Sequence, residues 1–351
     1  MNAGASTAAG RIDVLDGWRA LSILLVLAGH WLPMPHTWQT NGMAAASGMA
    51  LFFTLSGFLI ARLLLKDPRP APFLARRIFR IVPLAWLAMG ILAVWNQADP
   101  ATVLANFLFY ANLGPDWLMR GGEPLWSLCV EVQFYLFCAL SAWIAGRRAV
   151  YVLPLLGLAV TGLRIADGVP ISIHTWHRVD EIMAGASVAV LLSLPLAHRL
   201  PRVVPGWACL VAFALLAISA HPQSGALAYL RPYFAAATVG FSILATPGWL
   251  RPLLTSRPAR YVAEISYALY VFHGILWATP LGGEQASKPV RYALRFPLLA
   301  ATFALAHLST RHFESRFIAM GKRIADRFPL SKPGEEVGRL TPKEHDLIER
   351  K

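Results

Sequence analysis

The sequence predicts an all-α fold, a polytopic integral membrane protein of about ten transmembrane helices, and three observations carry that prediction. Hydrophobic residues make up 56% of the 351 positions and charged residues only 15%, a balance foreign to soluble domains. The mean hydropathy is +0.50. Apolar windows long enough to cross a bilayer recur along the chain at roughly 17–35, 43–65, 78–95, 125–145, 149–166, 179–197, 206–220, 228–247, 264–281 and 291–310.

An even number of spans puts both termini on one side, and the connectors say which. Lys and Arg gather in alternate short loops: Lys66, Arg69, Arg76, Arg77 and Arg80; Arg147 and Arg148; Arg199 and Arg202; Arg251, Arg257 and Arg260; then the tail from Arg311. By the positive-inside rule those loops and both termini are cytoplasmic. The opposite connectors carry more Trp, Asn and Gly, most visibly 96–123, where Val103–Leu113 is expected to form a short interfacial helix. Arg120, Arg178, Lys288, Arg291 and Arg295 are exceptions to the bias. Residues 1–10 read as a flexible N-terminus, 11–315 as one membrane domain, and 316–351 as a cytoplasmic tail, disordered from about Phe328 where Pro, Gly, Lys and Glu take over. The first apolar run lacks an Ala-x-Ala-like exit and leads straight into further runs, so it reads as an uncleaved span.

Composition also excludes some functions. The formal charge of +13 punctuates apolar runs and accompanies no nucleic-acid motif. Cys129, Cys138 and Cys209 all lie in apolar segments and give neither a disulfide framework nor zinc-ligand spacing. His174 and His177 share a loop without a third ligand, so no metal site is expected.

Ionisable residues at membrane depth cost at least a few kcal/mol on insertion scales and need partners, water or a function. In the first span Arg19 and His30 are eleven residues apart, about three turns and ~16 Å along a helix, so both project from nearly one face, with His30 deep in the bilayer. In Trp126-Ser-Leu-Cys-Val-Glu131-Val-Gln-Phe-Tyr135, helical spacing stacks Ser127, Glu131 and Tyr135 on one face. Glu131 there either orients the imidazole and stabilises its protonated form, as in hydrolase triads, or pairs with a buried Arg. The loop Arg76-Arg77-Ile-Phe-Arg80-Ile-Val-Pro83 is explained in part by the positive-inside rule, but its Arg-only composition suits multidentate phosphate binding. Arg178 and Asp180 sit at the entrance to the sixth span, as loop anchors or acceptor-site residues, and Ser266, Tyr270 and His273 form a stripe that lines the bundle.

Asp16-Gly17-Trp18-Arg19 with His30, the Arg76 to Pro83 loop, and Trp126 to Tyr135 together resemble the membrane-bound acyltransferase 3 family. The Arg178-Val-Asp180 and Ser266 to His273 stretches are similar to later positions of that family in the same order. The resemblance covers roughly residues 11–315, and one departure is Val132, where many members carry a second Glu. It implies a bacterial inner-membrane enzyme that moves an acyl group, acetyl above all, from cytoplasmic acyl-coenzyme A to a hydroxyl of a glycan, glycolipid or small-molecule acceptor, with no permanently bound cofactor. The implied roles are His30 and Glu131 as catalytic residues, Arg19, Arg76, Arg77 and Arg80 as donor-binding residues, and Asp16, Ser127, Tyr135, Arg178, Asp180, Ser266, Tyr270 and His273 as lining. The chain is too short to include the extracytoplasmic SGNH-type domain that some members carry. At His30 both general-base and acyl-imidazole chemistry are open. The reading from another class is a proton-coupled transporter or flippase with His30, Glu131 and His273 on a proton path.

Overall fold

A computed structural model describes residues 12–32, 36–202, 204–283 and 286–328, all helix, turn and loop with no strand among them. The expected flexible N-terminus at 1–10 and the disordered tail beyond Phe328 lie outside the described residues. Helices run α1 Val14–Trp31, α2 Thr40–Lys66, α3 Pro70–Trp95, α4 Pro100–Phe107, α5 Trp126–Ala145, α6 Arg148–Ala166 and α7 Asp180–Ser193. They continue with α8 Ala208–Ala220, α9 Arg231–Leu244, α10 Leu250–Leu254, α11 Arg257–Trp277, α12 Lys288–Leu308 and α13 Ser315–Asp326.

Every apolar window of the sequence falls on a helix. Among the described residues, six helical stretches are long and apolar enough to cross a membrane: Thr40–Lys66, Pro70–Trp95, Glu123–Ala145, Arg148–Ala166, Gly225–Leu244 and Pro289–Asp326. The expected count of ten is therefore only partly met. α7 and α8 have 14 and 13 residues, short of the ~20 that a perpendicular crossing takes, and α1 and α11 carry the polar residues of the candidate site.

One expectation needs correction on local grounds. The helix expected over Val103–Leu113 is two pieces, α4 and a short 3₁₀ turn at Ala111–Leu113, because Phe109 between them has φ of 58° and interrupts the helical run. α4 starts where it does because Asp99 caps it, accepting from the N–H groups of Ala101 and Thr102 at 2.9 and 3.1 Å. The tail segment after residue 315 begins as α13, which packs on α3 with Gly321 seated on Phe79 and the Ala75 carbonyl.

The bundle is held by close backbone approach. A Cβ on Gly57 of α2 would collide with the Ile182 carbonyl of α7, and one on Gly185 of α7 with the Thr54 carbonyl of α2, so small residues let these two buried helices cross almost backbone to backbone. Phe53, Phe58 and Ile60 of α2 are at most 1% exposed, whereas α3, α5, α6 and α12 show exposed Trp86, Leu140, Leu155 and Phe296 on outer faces. α2 is thus the central helix, and α1, α7 and α11 bring the polar residues to it.

Candidate active site

α1 ends at Trp31, where Leu32 turns to extended backbone (φ −74°, ψ 132°) and proline follows in the sequence. A helix end leaves carbonyls without partners, and here the Asn41 amide of α2 donates to the carbonyls of Gly29 at 2.9 Å and Leu32 at 2.7 Å. Gly29 has no Cβ because Ala45 and the Asn41 carbonyl lie where one would go. This clamp fixes His30, which is in the last turn of α1 and exposed.

His30 pairs with His273 of α11, Nδ1 to Nε2, at 2.9 Å. Their ring planes are within 7° of parallel and the centroids 5.0 Å apart, the geometry of an edge-to-edge bond in a common plane. The tautomers follow from one neighbour. His273 Nδ1 faces the Tyr270 carbonyl at 2.5 Å, and a carbonyl only accepts, so Nδ1 carries the proton. A neutral His273, 1% exposed, then has a bare Nε2 that accepts from Nδ1–H of His30. His30 is left with an unprotonated Nε2 turned away from the pair, and it lines two open pockets. One includes Trp31, Arg120, Glu123, Trp277 and His273; the other includes Met49, Glu123, Trp126, Arg178 and Tyr270.

Glu131 is elsewhere. Its Oε1 accepts from Ser56 Oγ and from Tyr135 Oη, the latter at 2.5 Å. It lines a separate chamber with Arg19, Arg77, Arg80, Ser266 and Tyr267, toward the start of α1 and α3. The expected pairing of Glu131 with His30 is therefore not present, and the group that orients His30 is His273. The alternative weighed from sequence, an ion pair with a buried Arg, is not found either: Glu131 bonds Ser56 and Tyr135, and Arg19, Arg77 and Arg80 share only the chamber wall with it. Arg77 and Arg80 line this chamber, and the Arg77 guanidinium lies 5.7 Å from the centre of the Tyr135 ring. Arg76 does not; it points to α13 and pairs with Asp326 at 3.5 Å on the surface. Helical spacing let Arg76 or Arg77 share a face with Arg80, and packing of α13 selects Arg77.

The chamber and the His30 pockets are separated by Phe52 and Tyr270, whose rings lie 12° from parallel with centroids 5.8 Å apart. Tyr270 is fixed by donating to the Pro124 carbonyl and accepting from Ser127 at 2.6 Å. Ser127 thus serves Tyr270 and not Glu131. Ser266 bonds back to the Ala263 carbonyl at 2.8 Å while facing the chamber. Asp16, half-buried in the first turn of α1, is among the charges that act on Arg19, together with Arg80, Arg77 and Glu131.

Arg178 and Asp180 belong to a buried ionic layer of α6, α7 and α9 that sequence reading did not assemble. Asp180 accepts from Arg164 at 2.5 Å and Thr161 at 3.1 Å; Glu181 accepts from Arg231 at 2.8 Å and faces Arg178 at 3.3 Å. Arg164 and Arg231, each just inside the end of an apolar window, are the signal the sequence offers. His177 Nε2 is hydrogen-bonded to the Asp167 carboxylate at 2.7 Å, and among the described residues no three His, Cys, Asp or Glu side chains are grouped to hold a metal ion.

Comparison with known proteins gives the family. The acyltransferase 3 model, described as an acyltransferase domain, matches residues 12–306. The chain is 24% identical over 361 aligned positions to the peptidoglycan O-acetyltransferase OatA of Listeria monocytogenes, covering 87% of this chain and 55% of that protein. It is 26% identical to the putative peptidoglycan O-acetyltransferase YrhL of Bacillus subtilis, covering 90% and 56%. To the exopolysaccharide production protein ExoZ of Rhizobium meliloti it is 28% identical, covering 65% and 75%. The chain thus spans little more than half the length of the first two relatives, and no solved structure matches it. With a family-model match across most of its length, this chain belongs to the acyltransferase 3 family of membrane O-acyltransferases.

Proposed function

We propose that the chain transfers an acyl group, acetyl being the simplest, from acyl-coenzyme A to a hydroxyl of a carbohydrate acceptor at the bacterial cytoplasmic membrane. The observation that carries this reading is the bare Nε2 of His30, held by a defined tautomer chain and opening on two pockets. A lone pair so placed takes the proton of an acceptor hydroxyl as its oxygen attacks the thioester carbonyl. When the C–S bond breaks, the imidazolium returns the proton to the leaving thiolate. His273, accepting from Nδ1–H, keeps the ring oriented through both steps.

The donor would enter at the other end. Arg19, Arg77 and Arg80 against the single carboxylate of Glu131 give the chamber an excess of positive charge, and guanidinium groups bind phosphates through paired N–H bonds. An extended pantetheine arm reaches roughly 15–20 Å by ordinary bond dimensions, which matches the ~16 Å rise from Arg19 to His30. The arm would pass between Phe52 and Tyr270, the stacked pair that divides chamber from pocket. Arg-rich loops at the chamber end favour its being cytoplasmic, with both termini. Bacterial relatives named for peptidoglycan and exopolysaccharide support a cell-envelope glycan as acceptor.

The test is purified full-length chain in lipid nanodiscs with acetyl-coenzyme A and an oligosaccharide acceptor. The reading expects free thiol to appear in step with acceptor molecules heavier by one acetyl group. Proton-coupled uptake of a solute without thioester consumption would replace this reading with transport.

A further inference from the structure

Five ionisable residues form the layer behind the His30 pocket: Arg164, Arg178, Asp180, Glu181 and Arg231, none more than 2% exposed. Three cations face two anions. Arg164 is matched to Asp180 at 2.5 Å and Arg231 to Glu181 at 2.8 Å, which leaves Arg178 as the surplus charge, sharing Glu181 at 3.3 Å through Nη2 alone. Nε and Nη1 of Arg178 have no hydrogen-bond partner. Arg164 Nε, Asp180 Oδ1 and Glu181 Oε2 are also without a hydrogen bond, but of the five residues only Arg178 lines the pocket that His30 lines. A buried guanidinium with two free donors is costly unless something anionic meets it.

The rest of that pocket is mostly apolar, with Met49, Leu118, Ile171 and Ile173 on its wall, and sets an aromatic and an acidic side chain among them. Trp126 forms part of the wall and carries the Arg178 guanidinium 5.3 Å from its ring centre, with Phe53 at 5.8 Å. Glu123, held by the Gly121 N–H at 2.7 Å, offers a carboxylate to hydroxyl groups. We propose that Arg178 binds an anionic group of the acceptor, a carboxylate or a phosphate, so that the acceptor is an acidic glycan. The proposal rests on the reading of this pocket as the acceptor site. A planar two-pronged donor matches either group, and because Arg178 and His30 line one pocket, an acceptor held by Arg178 can present a hydroxyl of the same glycan to His30 Nε2.

Equilibrium dialysis with the purified full chain, with saturating coenzyme A to occupy the arginine chamber and without any thioester, tests this separately from acyl transfer. The probes are a glucuronate tetrasaccharide, its neutral glucose counterpart, and glucose 1-phosphate. Wild type should bind an anionic probe, the uronate or the phosphate, about tenfold or more tightly than the neutral one, the range expected of charge-assisted bonds. R178Q should abolish that preference, R178K should keep part of it, and R80Q in the other chamber should leave it intact. Which anionic probe gains more distinguishes a carboxylate from a phosphate source. Equal binding of charged and neutral probes by wild type overturns the proposal even if R178Q fails to fold. So does a preference that survives in folded R178Q or disappears in R80Q.

Discussion

His273→Phe removes the partner of His30 while keeping a planar ring in a site that is 1% exposed. Two bonds go with it: His30 Nδ1–H to His273 Nε2 at 2.9 Å, and His273 Nδ1–H to the Tyr270 carbonyl. A neutral hydrogen bond is worth roughly 0.5–1.5 kcal/mol, and ~1.36 kcal/mol is a factor of ten in rate, so the lost orientation accounts for a fall of about 2- to 13-fold. Release of His30 to its other tautomer, with Nε2 protonated, adds to this. In a triad whose orienting group is a carboxylate, the corresponding loss is about 10⁴-fold, but a neutral imidazole contributes no charge to stabilise the imidazolium. We therefore expect kcat to fall about 10- to 100-fold with the donor KM unchanged. The assay is thiol release at saturating acetyl-coenzyme A, on protein shown to be monodisperse. His273→Gln, whose amide oxygen can still accept from Nδ1–H, should recover part of the rate. A His273→Phe enzyme within twofold of wild type refutes the tautomer argument.

Three further predictions follow from other parts of the molecule. Arg80→Gln should raise the donor KM by roughly 10- to 150-fold, from about 1.5–3 kcal/mol per charge-assisted bond, and leave the acceptor KM within about twofold; steady-state kinetics with each substrate varied would show it, and an unchanged donor KM would return the loop to positive-inside duty. With the three buried native cysteines as a quiet background, a cysteine replacing exposed Pro115 should be labelled from outside intact cells and one replacing exposed Arg148 only after permeabilisation; the opposite pattern inverts the assigned topology. In the turn between α2 and α3, the Arg69 guanidinium, at 2.7 Å, and then its backbone N–H hold the Asp67 carboxyl below its ordinary value of 3.8. Ionised Asp67 therefore stabilises this turn above pH 3.8 and ceases to as pH falls through its lower folded value. The difference in Tm between wild type and Asp67→Asn should be present at pH 7 and close at pH below 3.8; a gap that widens in acid contradicts the assignment.

Much of this was legible in the sequence because membrane insertion makes polar residues conspicuous. Arg19, His30, Glu131 and His273 stand out in apolar runs, and helix periodicity correctly groups Glu131 with Tyr135, now joined by a hydrogen bond. What periodicity cannot supply is which helix faces which. Glu131 and His273 both lay on faces able to meet His30, and only the crossing of α1, α2 and α11, fixed by Gly29 and Asn41, decides for His273. The end of the first helix is a second case. The apolar window runs on to residue 35, but Asn41 closes the helix at Trp31, which sets His30 in its last turn, on the pockets. Arg164 and Arg231 are less conspicuous because each sits at a helix end, where an arginine reads as an interface anchor until its carboxylate partner on α7 is placed.

The central claim is that His30 Nε2 performs the proton transfer, and His30→Ala tests it most directly. The variant should insert, stay monodisperse and bind coenzyme A as wild type does, because Arg19, Arg77 and Arg80 are untouched. Its rate of acetyl transfer should fall by at least the roughly 10²–10⁴-fold expected for loss of a positioned base. Acetyl transfer by His30→Ala at a rate near wild type would contradict the account and place the chemistry elsewhere.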